Sequence, residues 1–138
     1  MSHNLVDRTF IDSCCHTSTR APGAVFEVTR SGDGWTFSTL YRFADPALVL
    51  AAVTLYNGDL YGTTEGGGSA DFGSVFELMP GTGGWTANTL YSFTSGNDGS
   101  HPVSSVLLDS SGNVYGTAMD AGVNSDGTIW EITPSTKP

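Results

Sequence analysis

One 21-residue stretch of this chain occurs twice, offset by fifty residues. Gly23 to Phe43 carries GAVFEV and GWTFSTLYRF, Gly73 to Phe93 carries GSVFEL and GWTANTLYSF, and 11 of the 21 positions are identical. GTIWEI, from Gly127 to Ile132, opens a third copy. Such a period restricts the chain to architectures that stack one supersecondary unit, because a unit of this size cannot bury its apolar surface alone.

Each repeat reads as four short strands separated by glycine-rich turns. Val25, Phe26 and Val28 alternate as in a strand, as do Val75, Phe76 and Leu78, and Ile129, Trp130 and Ile132. Asn57-Gly58-Asp59 and Ser111-Gly112-Asn113 are hairpin signals in front of LYGTT and VYGTA. Leu48 to Leu55 is rich in alanine and leucine, yet it occupies a strand slot of the repeat, and that context overrides helix propensity. Four-stranded units of this length are the signature of β-propeller blades, so the expected fold is all-β with two four-stranded blades per chain. The first blade is assigned strands Leu48–Leu55, Leu60–Thr64, Gly73–Leu78 and Trp85–Phe93. The second is assigned Val103–Leu108, Val114–Ala118 and Gly127–Ile132, with Trp35–Phe43 from the other end of the chain as its fourth strand. Val25–Val28 is then left over.

An open two-blade arc exposes apolar faces at both ends, so the ring is expected to be completed by homo-oligomerisation. A dimer, trimer or tetramer would give four, six or eight blades, and the six-bladed trimer, with Trp35–Phe43 exchanged between protomers, is favoured here. A monomeric β-sandwich of the same strands is the structural alternative.

Charged residues are 14% of the chain, 18 residues are glycine and the formal net charge is −9. Five Lys plus Arg cannot form the basic stripe that nucleic acid requires, and no apolar run is long enough to span a membrane. Residues 1–22 are expected to be a non-repeat leader with little order, without the basic start and apolar core of a signal peptide. The repeat segment is 23–134 and a short tail is 135–138. Cys14 and Cys15 are adjacent, a geometry too strained for a relaxed disulfide, and read as incidental thiols.

The acidic residues fall in the loops at one end of the expected blades. Glu65 and Asp71 lie in one such loop and Asp120 and Asp126 in its repeat, an oxygen-rich set suited to Ca²⁺ or another divalent metal. Asp98 and His101 share a neighbouring loop, where His101 is the candidate general base. The competing reading is turn chemistry, since Asn97-Asp98-Gly99 and Asp126-Gly127 are what tight turns require. Trp35, Trp85 and Trp130 are candidate platforms for a glycan ring, against packing between blades. Glu27, Glu77 and Glu131 recur at one strand position, which points to a structural role. No nucleophile elbow, phosphate-binding loop or clustered Cys/His zinc motif is present.

YGTT, GSVFEL, GWTANTLYSF and GNVYGT together resemble the bacterial tandem repeat of the choice-of-anchor or GloVer type, over about Pro22 to Pro134. That resemblance implies propeller-like blades in long exported proteins with many copies, hence an extracellular location. This chain holds about two copies and no export signal. The expected function is an oligomeric β-propeller binding or scaffold module for a small molecule or glycan. The alternative, by analogy of fold with six-bladed lactonases, is a calcium-dependent hydrolase of activated esters, lactones or phosphotriesters with an axial site.

Overall fold

The computed structural model describes residues 8–12, 23–44 and 47–134, the first of these as backbone only. Cys14, Cys15, His16, the tail 135–138 and most of the expected leader lie outside the described residues.

Among the described residues the chain is all-β, with ten strands in three antiparallel sheets and no helix. The first sheet is ordered β1 (Arg8–Asp12), β2 (Ala24–Ser31), β3 (Gly34–Arg42). The middle sheet is ordered β4 (Thr54–Tyr56), β5 (Asp59–Thr64), β6 (Ser74–Gly81), β7 (Gly84–Ser92). The third is ordered β8 (Leu107–Leu108), β9 (Val114–Ala118), β10 (Thr128–Ile132). Short turns produce this meander. Asn57 and Gly58, at φ 51° and 94°, form a two-residue connection with both central residues left-handed, which matches the twist of the flanking strands.

Four of the expected strand assignments change. Trp35–Phe43 does not complete the sheet of Gly127–Ile132. It pairs with Ala24–Ser31, from which a turn of only Gly32 and Asp33 separates it, and so short a loop makes the local hairpin the least costly closure. Val25–Val28 is therefore the partner of that strand rather than a remainder, and β1, from within the expected leader, pairs along its other edge. The strands expected over Leu48–Leu55 and Val103–Leu108 shrink to Thr54–Tyr56 and Leu107–Leu108. Residues 49–53 still alternate, with Val49 and Ala51 buried and Leu50 exposed, but one bond from Glu65 N–H to Leu48 O (2.7 Å) is what ties them to the end of β5.

Sheets stack through two apolar layers. Val25, with Leu40, Tyr41 and Phe43 of the first unit, packs on Leu60, Phe76 and Leu78 of the middle sheet. Val75, with Phe93 and Leu90 on the middle sheet's other face, packs on Val106, Val114, Ala118 and Trp130 of the third unit. The aromatic contacts repeat across both layers. Phe43 meets Phe76 at 4.7 Å between ring centroids, and Phe93 meets Trp130 at 5.8 Å. Thr54 and Thr63 add stitches, donating to Val106 O (2.6 Å) and Ser104 O (3.0 Å).

The glycine of the YGT motif has a packing cause. Gly62 pairs with Phe76 and Gly116 with Trp130 across adjacent strands, and each ring lies over its glycine. A Cβ at Gly62 would stand 2.6 Å from Phe76 Cζ, and one at Gly116 would stand 2.2 Å from Trp130 Cζ2. Forcing a side chain under either ring is overpacking and should cost ~1–3 kcal/mol. Gly62→Ala and Gly116→Ala should each lower the denaturant midpoint accordingly with an unchanged m value. A midpoint equal to that of the parent chain in both variants would contradict this packing.

Candidate functional site

Alternation along β5, β6 and β7 places Tyr61, Glu77 and Asn88 on the middle-sheet face that looks toward the third sheet. They are direct cross-strand partners, Tyr61 opposite Glu77 and Glu77 opposite Asn88. Tyr61 donates its hydroxyl proton to Glu77 Oε1 (2.6 Å), and Asn88 Nδ2 donates to Glu77 Oε2 (3.3 Å). Burial, followed by the hydrogen bond and charge of Glu77, pushes the Tyr61 phenol well above the ordinary tyrosine range. It therefore remains a donor at any physiological pH.

This ladder forms one wall of a groove of about 920 Å³ between the middle and third sheets. Tyr56 and Asp59, on either side of the Asn57-Gly58 turn, extend that wall, and Ser110 to Val114 with Ile132 to Pro134 form the opposite one. Tyr56 donates to Ser110 O (3.3 Å) across the groove and stands edge-on to Tyr61 at 6.4 Å. The opposite wall is held by Asp109. Its carboxylate accepts from Ser111 N (2.8 Å), Asn113 N (3.0 Å) and Asn113 Nδ2 (2.8 Å), and Tyr115 Oη lies at 3.0 Å. The Asn113 side chain, then its backbone N–H, hold the Asp109 carboxyl below the usual carboxylate range.

The third sheet repeats the pair, with Tyr115 Oη 3.2 Å from Glu131 Oε1. The recurring glutamate thus sits beside the tyrosine of YGT in both sheets, Glu77 as the acceptor of Tyr61 and Glu131 sharing the single Tyr115 hydroxyl proton with Asp109. The signal for this pairing lies in the repeat, because Tyr and Glu recur together on neighbouring strands, but it can be read only once the register is known.

The residues singled out from the sequence are distributed differently. Asp98 closes a turn, accepting from Thr94 N (2.8 Å), Thr94 Oγ1 (2.7 Å), Gly96 N (3.1 Å) and Tyr91 Oη (3.0 Å). Desolvation works against its charged form, but these hydrogen bonds outweigh it and lower the pKa. Asp71 accepts from Gly67 N (2.8 Å) in another turn. His101 has a left-handed backbone, φ 53°, that lets its N–H reach Phe72 O (2.9 Å) and its C=O accept from Met119 N (3.2 Å), bridging two loops. Its Nδ1 lies 3.3 Å from Asp120 Oδ2. Glu65 is half-buried, and Asp120 and Asp126 are exposed. Among the described residues of one chain, no three His, Cys, Asp or Glu side chains come together as a metal-binding group. Trp35 is exposed on the first sheet, whereas Trp85 and Trp130 pack against the first and second apolar layers.

A model of the Gloeobacter/Verrucomicrobia repeat matches residues 6–138, and the chain belongs to that family. No curated protein and no solved structure matches it.

Asp98 and Asp109 both sit below their ordinary pKa in the folded chain. Their contribution to stability is complete above about pH 4 and is lost as the pH falls through the depressed values. The thermal midpoint should therefore drop in acid. The double variant Asp98→Asn, Asp109→Asn should melt lower at pH 7 and lose less on acidification; an equally steep acid limb would argue against the assignment.

Proposed function

We propose that this member of the Gloeobacter/Verrucomicrobia repeat family is a binding module built from propeller-type blades, and that the groove between its middle and third sheets takes an uncharged carbohydrate. Three features support the blade reading: the repeat period, the four-strand meander of the middle sheet and the stacking of successive sheets by equivalent faces.

The observation that carries the ligand reading is the groove wall itself. Tyr56 and Tyr61 offer aromatic surface, while Asp59, Glu77 and Asn88 offer polar groups in one concavity. Sugars present C–H faces and hydroxyls together, so they need both kinds of surface. The volume falls within the roughly 300–1,000 Å³ of ligand sites. Among the described residues no Lys or Arg lines the groove, and the chain carries a net charge of −9, which favours a neutral over an acidic glycan. The hydrolase alternative draws on a single contact, His101 with Asp120, whereas the groove unites five side chains around one space.

Titration with a panel of neutral oligosaccharides, followed by calorimetry or a glycan array, tests this reading. Tyr56→Ala and Glu77→Gln should each weaken the best binder by about tenfold or more, which is ~1.4 kcal/mol. Absence of binding across the panel, or binding indifferent to both variants, would sink it.

A further inference from the structure

Successive sheets meet by fixed faces. The face bearing Val25 in the first sheet, and Val75 in the middle one, packs on the next sheet's face bearing Phe76 or Trp130. Two faces are left over at the ends. The first sheet presents Phe26, Val28, Phe37 and Trp35, which occupy the places of Phe76, Leu78, Ala87 and Trp85 in the repeat register. Trp35 and Phe37 are 63% and 61% exposed there. The third sheet presents Ile129 and Leu107, 86% and 73% exposed, where the equivalent Val75 of the middle sheet is 0% exposed.

We propose that these end faces dock head to tail, the third sheet of one copy on the first sheet of a second copy, so that two copies close a ring of six sheets. The inference rests on the blade reading above. The internal layers are the template, since the chain twice pairs these same two faces with each other, never like with like. Two details argue for a second copy of this chain as the occupant. In the internal layers, Phe43 and Phe93 of the preceding unit cover Phe76 and Trp130. The third sheet has no described strand equivalent to β3 or β7 to supply such a ring. Phe37, standing where the middle repeat has Ala87, lies 4.8 Å from Phe26 and provides it from the other side. Charge also matches. Arg30 pairs with Trp35 on the first sheet's outer face, at the register place of Pro80, while Glu131 lies on the third sheet's outer face. The described residues form three sheets, so two copies reach six, inside the range of about four to eight that close propellers. The trimer favoured from the sequence rests instead on a count of two blades per chain. The partner would also wall in Tyr115 and Glu131 as the third sheet walls in Tyr61 and Glu77, building a second kind of groove at the junction.

Light scattering on the purified chain should give twice the 14.4 kDa chain mass. Ile129→Lys and Phe37→Glu alter exposed positions outside the sheet–sheet layers, and each alone should yield monomer, because both junctions of a head-to-tail pair are then damaged. An equimolar mixture of the two variants should recover the dimer. In that mixed pair one junction sets the introduced lysine against the introduced glutamate, and the other junction is unaltered. Circular dichroism monitors folding, and Ile129→Thr with Phe37→Thr serves if either charged variant unfolds, each expected to dissociate the dimer on dilution sooner than the parent chain. A monomeric or trimeric parent chain, a dimer sensitive to only one position, or no recovery on mixing would overturn the proposal. Saccharide binding in the groove within one chain involves neither residue, so its failure and this one are separable.

Discussion

The close approach of an aromatic ring to a glycine on the neighbouring strand governs the spacing of this molecule. Phe76 over Gly62 and Trp130 over Gly116 lie along the sheet surface instead of standing off it. Each ring is therefore available to the Phe that closes the TLYRF or TLYSF motif of the preceding unit, Phe43 or Phe93. The contact runs between repeats, and it adds to the contacts Phe43 and Phe93 make with Tyr41 and Tyr91 of their own units. That is why the motifs YGT, VFEL and TLYSF recur together: they are the three parts of one joint, contributed by two successive units. A side chain at either glycine would occupy the space its ring now fills.

The groove is a consequence of that joint. The apolar layer between the middle and third sheets occupies one part of the interface, around Val75, Phe93 and Trp130. Away from it the facing residues become polar: Tyr61, Glu77 and Asn88 on one side and the Asp109–Asn113 turn on the other. A polar surface between two sheets must find partners or remain open to water. Here the side chains satisfy one another along the ladder, Tyr61 to Glu77 to Asn88, and the groove runs between the two walls. The glutamate's repetition at 77 and 131 is thereby structural, yet it also places a carboxylate in the concavity.

Much of this is legible in the sequence, and what is not has identifiable causes. The repeat phase yields the all-β class and the middle-sheet strand order, because alternation and turn residues agree over Leu60–Phe93. It misassigns Trp35–Phe43, since counting strands per blade ignores the two-residue turn that ties this strand to Val25–Val28. The loop carboxylates stand out by residue type, and type does not distinguish a ligand from a turn acceptor. Asp98 and Asp71 hold backbone N–H groups of their own loops. His101 stands out for its imidazole, while its backbone, at φ 53°, is the part that joins two loops. The Tyr–Glu ladder exists only across strands, and a register is needed to see it.

The same logic explains why exposure at the two ends differs from ordinary surface apolarity. Scattered apolar residues at a surface need no explanation. Ile129 and Phe37 are different, because each occupies a position defined by the repeat, and the interior shows what those positions normally face. The equivalent of Ile129 is fully covered when another unit follows it, and the equivalent of Trp35 joins an apolar layer when a unit precedes it. The described first and third sheets therefore expose faces equivalent to the two that meet twice between successive sheets. An interface with two unlike halves joins head to tail, and whether it closes or propagates depends on the rotation per unit and on how many units one chain supplies.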